Sequence, residues 1–467
     1  MPYRLFIPLL LLTVWSCQST AEETSSPQFE GLAAAVEPSS AMPEWAKDAA
    51  IYEVNIRQHT PEGTFAAFTQ DLERIANLGT DILWLMPIFP ISEAKRKGPL
   101  GSPYAVSDYT TVNPEFGTEA DFQALVDGAH ALGMRVILDY VPNHTGWDHA
   151  WITEHPEYYT QNEAGEIIDP IDPETGESWG WTDVADLNHG NQDMRSGMID
   201  DLVYLIEHFD IDGYRMDVAH QVPDEFWAEM TPRIRAAKAD VFMLAEAEIP
   251  EQLNQEFFAA NYGWEFHHLI NAVAQGDTTA EVIKSWFEEF SSDHEHGFQM
   301  QFITNHDENS WNGTVKERMG DNWMTMAVLT NTIEGMPLIY SGQEAGLDHQ
   351  LRFFSKDTIS FTDTSRYSFY RSLQELKAET EALWNGAYGS SPQFLDAGTD
   401  PATTIAYARA KGGHGVLVLL NFGESNADFV LPQVAHGSYT DAFSGQEFTV
   451  GEDPIQISAK GYQLLKF

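Results

Sequence analysis

Residues 81 to 88 read Asp-Ile-Leu-Trp-Leu-Met-Pro-Ile, and residues 134 to 140 read Met-Arg-Val-Ile-Leu-Asp-Tyr. Apolar runs without alternation mark strands buried on both faces, the strands of a parallel sheet covered by helices. Between these two runs, Thr118 to Leu132 has the helical period, begins after the turn Pro114-Glu115-Phe116-Gly117 and stops at Gly133. Ile51 to Gln58 suits an earlier strand, and Phe65 to Leu78 an earlier helix that ends at Gly79. Met198 to Phe209 is a later helix leading into a strand at Gly213, and Val241 to Ala245, Met300 to Thr304 and Leu338 to Tyr340 extend the series. Strands and helices alternating over short steps join parallel neighbours by right-handed crossovers. An open doubly wound sheet and a closed eight-stranded barrel both satisfy that rule. No Gly-x-Gly-x-x-Gly follows the first strand, which weakens a nucleotide-binding sheet. Polar residues gathered at the ends of several strands favour the barrel.

The expected fold is therefore α/β: a (β/α)8 TIM barrel over residues 44–383, then an antiparallel β-sandwich over 384–467. The alternation stops between Val141 and Gly190, a stretch holding Trp147, Trp151, Trp179 and Trp181. An insertion of this length after a strand reads as a functional loop or subdomain. Its acidic residues at 169, 172 and 174 do not follow the alternate spacing of a calcium-binding loop. After Leu383, short runs at Thr404 to Arg409, Val416 to Phe422, Ala427 to Leu431 and Tyr462 to Phe467 lie between Gly, Asn, Ser and Pro, as in a small sandwich.

The chain begins with Arg4, an apolar run from Leu5 to Val14, and then Ser16 and Cys17. Residues 1–17 read as a secretory signal, too short to span a membrane. Cys17 is the single cysteine, which excludes a disulfide framework and resembles the lipidated first residue of a mature bacterial lipoprotein, although Trp15 stands where a small residue is usual. Residues 18–43, rich in Ala, Ser, Glu and Pro, read as a flexible tether. The expectation is a monomer at the cell envelope, meeting a membrane only through that lipid. The 25 Lys and Arg against 71 Asp and Glu would repel a nucleic-acid backbone and do not oppose a neutral polymer.

Four strand ends collect polar side chains: Asp139 to His144, Gly213 to His220, Glu246 after Val241 to Ala245, and Asn305-His306-Asp307. Arg215 and Asp217 are two apart, so on a strand they share a face, and the Arg holds the carboxylate ionised. Glu246 follows an apolar run, where desolvation favours its protonated form. Glu248 lies on the same face as Glu246, and periodicity does not choose between them.

In this order and spacing the four stretches resemble the signature regions of the α-amylase family of glycoside hydrolases. Ala185 to Asn188 resembles that family's fifth region, and Tyr104 to Tyr109 its segment before the third strand. The resemblance runs from about Trp45 to the C-terminus. It implies retaining cleavage of α-1,4 bonds in α-glucans or maltooligosaccharides, with Asp217 as nucleophile, Glu246 as general acid and base, and Asp307 stabilising the transition state. A retaining glycosidase needs one ionised and one protonated carboxyl, which the two environments read above supply. Tyr104, His144, Arg215 and His306 match positions that hold the reacting sugar. Asn143, Asp186 and the carbonyl of His220 resemble a structural calcium site, an oxygen set that suits Ca²⁺. No organic cofactor is implied. Ala245 stands where the family often has Gly, and Ala219 where many members have a sugar-contacting Lys. Transglycosylases and cyclodextrin- or pullulan-degrading relatives share these carboxylates, and an inactive glucan-binding lipoprotein is the rival from another class. His294 and His296 are read as part of a solvated loop and the insertion's tryptophans as either sugar-stacking or core.

Overall fold

In the computed structural model, which describes residues 26–172 and 175–467, eight parallel strands close a barrel. They are β1 (Ile51–Val54), β2 (Ile82–Leu85), β3 (Arg135–Tyr140), β4 (Gly213–Met216), β5 (Phe242–Ala245), β6 (Ala260–Tyr262), β7 (Phe298–Gln301) and β8 (Met336–Tyr340). Pairing of Leu338 with Ile51 joins β8 to β1 and completes the ring. Ile51, Ile82, Trp84, Phe242 and Leu244 fill the inside, while Tyr52, Val54, Leu83, Leu85 and Tyr214 pack outward in the second core cluster. That double burial is why these strands read as continuous apolar runs. β6 lacked such a run: Ala-Asn-Tyr is three residues long and places buried Asn261 between two inward apolar neighbours. Strand Ile51 to Gln58 is shorter than expected, because Asn55 caps a helical turn at Ile56–His59 by accepting from the Arg57 N–H.

The C-terminal unit is a six-stranded antiparallel sheet built around Thr404–Lys411, His414–Asn421 and Tyr462–Lys466. A two-stranded ribbon of Ala427–Phe429 and Ile455–Ile457 packs on it through Phe429 and Ile457 against Leu417 and Leu465. At the base of the insertion, His144–Gly146 pairs antiparallel with Val184–Asp186.

Residues 1–17 and the first part of the expected tether lie outside the described residues. From 26 to 43 the chain is no tether. Leu32–Ala33 pairs with Ser390–Ser391, and the ring of buried Phe29 meets Phe467 at 5.2 Å. Ala41 is buried below the barrel in its inner cluster. Isolated apolar residues at 29, 36 and 41 carry no period, yet each fills a gap supplied by another element. Among the described residues no helix is long and apolar enough to cross a membrane.

Candidate active site

The ladder of the barrel carries the chemistry to one rim. Asp139 pairs with Arg215 across β3 and β4. Beyond the strand ends, the Asp217 N–H donates to the Tyr140 carbonyl (2.9 Å) and the Glu246 N–H to that of Met216 (3.0 Å). Both carboxylates are thereby fixed at the C-terminal face, where barrel sites are assembled. Gly213 opens β4 because a Cβ there would lie 1.9 Å from the Phe242 carbonyl oxygen.

Arg215 is the hub. Its Nη1 lies 2.8 Å from Asp139 Oδ1 and 2.7 Å from Asp217 Oδ1, its Nη2 2.9 Å from Glu246 Oε1, and its Nε donates to the Tyr262 hydroxyl at 3.1 Å. The remaining Glu246 oxygen, Oε2, accepts from the Val218 N–H at 2.7 Å. Asp139 also accepts from Trp84 Nε1 (3.2 Å) and the Tyr104 hydroxyl (3.1 Å). One cation thus serves three buried carboxyls. Burial pushes Glu246 up to about 7 and Asp139 up to about 7, against the pull of Arg215. Asp217 is also raised by burial, with Arg215 drawing it back. The opposite environments expected for Asp217 and Glu246 are not found, because the guanidinium reaches both.

The groups expected to face the sugar converge on the same point. His306 Nδ1 is 2.5 Å from Glu53 Oε1, and its Nε2 is 2.7 Å from the Tyr104 hydroxyl and 3.4 Å from Asp307 Oδ2. Burial alone would lower His306, but Asp307 and Glu53 raise it to about 9, so the ring is an imidazolium at neutral pH. His144 is the reverse: burial takes it down to about 4, so it is neutral. Asp217, Glu246, Asp307, Tyr104, His144, His220 and His306 all line one cleft of about 700 Å³. Asp307, one-third exposed, opens into it. Glu248 lines the cleft too, but its Oε1 accepts from the Glu265 N–H (2.9 Å) at the head of helix Trp264–Gln275. Contact with Arg215 separates Glu246 from this rival.

The profile of the α-amylase catalytic domain matches residues 44–387. The chain belongs to the α-amylase family. It is 28% identical over 436 residues to the α-amylase MalA of Haloarcula japonica, which covers 89% of this chain and 62% of that enzyme, less than two thirds of its length. An α-amylase structure from Lactobacillus plantarum superposes with a TM-score of 0.79 at 30% identity, over 91% of this chain and 99% of that one. A maltogenic α-amylase, AmyB from Thermotoga neapolitana, gives 0.80 at 25% identity with the same coverage.

In this α-amylase family chain several residues in the cleft, or buried behind it, carry little signal of their own in the sequence. Glu53 stands in the sequence only as part of the strand expected from Ile51 to Gln58, although its buried side chain joins Asp307 in raising His306. Trp311, Phe353 and Phe354 form a cleft wall, with ring centroids 5.2 and 5.9 Å from Trp311. Phe353 is stacked on Tyr104 at 6.2 Å. Trp311 offered one signal in the sequence, an aromatic four residues beyond Asp307, and in the structure it is 54% exposed. Trp181 faces the cleft, whereas Trp151 packs against the core. His294 is not in a solvated loop; it is buried, 4.1 Å from the Phe290 ring, because helix Glu281–Asp293 runs up to it.

Of the residues expected to hold calcium, Asp186 is half-buried and raised by burial to about 6, with no cation paired to it among the described residues. Asn143 Nδ2 lies 3.3 Å from His144 Nδ1, and His220 is exposed on the cleft side with its Nδ1 3.5 Å from the Glu246 carbonyl. Among the described residues no cluster of three or more His, Cys, Asp or Glu side chains has metal-binding geometry. One carboxylate with neutral oxygens remains a donor set of the type Ca²⁺ accepts.

Proposed function

We propose that this chain is a retaining hydrolase of α-1,4-glucosidic bonds in starch-like α-glucans and maltooligosaccharides. The observation that carries the reading is the pairing of Asp217 and Glu246 on neighbouring nitrogens of one buried guanidinium. It holds the two carboxyls close together, as a retaining pair about 5 Å apart requires. Asp217 Oδ1 is engaged by Arg215, so Oδ2 attacks the anomeric carbon. The bond to the leaving oxygen breaks as Glu246 gives that oxygen its proton, and a glycosyl ester on Asp217 forms. Glu246 then takes a proton from water, the water oxygen bonds to the anomeric carbon, and Asp217 leaves as a carboxylate. A value near 7 lets Glu246 serve in both directions. Asp307 and the anion-paired His306 flank the ring as positive charge develops on it. Their hydrogen bonds to hydroxyls are worth most if they tighten in the transition state.

Amylose, pullulan, cyclodextrin and maltooligosaccharides, incubated with the protein and followed by NMR and chromatography, test this. α-Anomeric products shorter than the substrate, absent with Asp217→Asn, support hydrolysis with retention. Products longer than the substrate would replace it with a transglycosylase, and binding without turnover with a glucan-binding protein. We further propose that Asn143, Asp186 and the His220 carbonyl hold a calcium ion, which supplies the positive charge that Asp186 lacks. Signal cleavage before Cys17 and its lipidation, with tethering in the envelope, complete the reading; palmitate labelling lost in Cys17→Ala tests them.

A further inference from the structure

Resting on that reading, we propose that the loop of residues 91–101 closes the glycone end of the cleft, so that the site takes the free non-reducing ends of maltooligosaccharides and releases one short product. The two ends of the cleft can be told apart. Val218, His220, Ala247, Glu248 and Trp264 follow β4, β5 and β6 and lie beside the proton donor Glu246, so they line the leaving-group side. Lys97, Asp183, Trp311, Phe353 and Phe354 line the cleft from other loops, with Phe353 stacked on Tyr104 and Tyr104 on His306 at 5.6 Å. Trp311, Phe353 and Phe354 are thereby assigned to the glycone side, and Lys97 with them, since Gly98 and Leu100 of its loop lie against Phe354.

Lys97 crosses that side. Its Nζ lies 2.9 Å from Asp183 Oδ1 and donates to the Gly180 carbonyl at 2.9 Å, joining the loop after β2 to the inserted subdomain. The rest of the loop is stitched at both flanks. Lys95 Nζ sits 3.0 Å from the centre of the Trp147 ring, and Asp148 accepts from the N–H groups of Glu93 (2.6 Å) and Ala94 (2.9 Å). On the opposite flank the Leu100 N–H donates to the Phe354 carbonyl at 3.1 Å, and Gly98, with φ +65°, lies so close that a Cβ would be 2.5 Å from Phe354 Cβ. Three consecutive cations, Lys95-Arg96-Lys97, stand out in a chain with 25 Lys and Arg against 71 Asp and Glu. Arg96 donates to the Ile91 and Ser92 carbonyls within its own loop, while Lys95 and Lys97 reach across to the insertion. A glucan threading through the cleft would have to pass this strap. A glucan entering by its free end would not.

A maltoheptaoside capped at its non-reducing end by a 4,6-benzylidene group separates the two modes. Wild-type protein is expected to cleave free maltoheptaose to one dominant short product and to leave the capped substrate intact. Lys97→Ala and, independently, Asp183→Ala are expected to gain cleavage of the capped substrate and to broaden the product range. Calorimetry with Glu246→Gln provides a readout without turnover: free maltoheptaose should bind at least about tenfold tighter than the capped form, about 1.4 kcal/mol. Equal binding of the two, or early loss of iodine colour from amylose with a broad ladder from wild type, overturns the closed end while leaving hydrolysis intact. Failure of the hydrolase reading shows instead as no product from any substrate, with the calorimetric difference still deciding the shape of the cleft.

Discussion

Arg215 at the rim of β4 and Arg409 in the strand Thr404–Lys411 are equally buried, each 0% exposed, yet their surroundings differ in kind. Arg215 contacts three carboxyls. Arg409 contacts carbonyl oxygens: Ser390 at 2.7 Å, Ile333 at 2.9 Å and Thr332 at 3.3 Å. Burial lowers Arg409 to about 10, with Glu334 only partly offsetting it. Burial also works against Arg215, but Asp139 and Glu246 outweigh it and raise the group above its usual value. A buried cation among carbonyls satisfies backbone acceptors and joins two domains. A buried cation among carboxyls keeps acids close together that would otherwise repel, which is a catalytic arrangement.

The largest effects break the Arg215 side of the contrast. Asp217→Asn should lower kcat by roughly 10⁴–10⁶-fold, the scale of losing a group that acts as part of a unit. Glu246→Gln should lower it by roughly 10²–10⁴-fold. Neither should reduce the melting temperature, since each removes a carboxyl whose ionisation burial opposes. A fall in melting temperature that tracks the activity loss would make both residues structural. On the other side, Arg409→Met should cost about 1–3 kcal/mol by leaving buried carbonyls unpaired. Denaturant titration measures that loss, and kcat per folded molecule should be unchanged. An activity loss beyond the unfolded fraction would show that the domain junction reaches the site.

The same contrast explains what the sequence revealed. Arg215 lies two residues from Asp217 on a strand, and the apolar strands around it announce themselves, so the barrel and its carboxylates were legible from local pattern. Arg409 looks like any residue of an alternating strand; its partners lie at 332, 333 and 390, and nothing local points to them. Glu53 and Phe353 escaped for the same reason, because their roles arise from contacts with His306 and Tyr104 made by distant strand ends. The environments of Asp217 and Glu246 were misjudged because spacing shows that an Arg is near one carboxyl and not that its other nitrogen reaches a second. Residues 26 to 43 look like a tether in sequence because pairing with Ser390–Ser391 leaves no period in the chain itself.

Smaller effects sharpen the comparison through protons. In free enzyme, kcat/KM should fall as pH rises past about 7, where Glu246 loses its proton. Glu246 and Asp139 bind protons more tightly folded than unfolded, so their ionisation removes stability between about pH 4 and 7. His306 also has a raised value, near 9 against an ordinary 6.5. Its contribution is complete below pH 6.5 and is lost as pH rises through 9. The stability difference between wild type and His306→Gln should therefore shrink across that upper window; a constant difference would show that His306 acts by packing alone.

The smallest expected effect concerns a carboxylate with no arginine at all. Asp186 is raised to about 6 by burial and has Asp169 rather than a cation near it. If calcium supplies the missing charge, saturating Ca²⁺ should stabilise the fold by about 2.7 kcal/mol at a hundredfold excess over Kd. Thermal melts with and without a chelator read this directly. Asp186→Asn should abolish the calcium-dependent shift, because the amide keeps the shape and loses the charge. An identical shift in Asp186→Asn would place any bound ion elsewhere and leave Asp186 as a half-buried acid that keeps its proton only up to about pH 6.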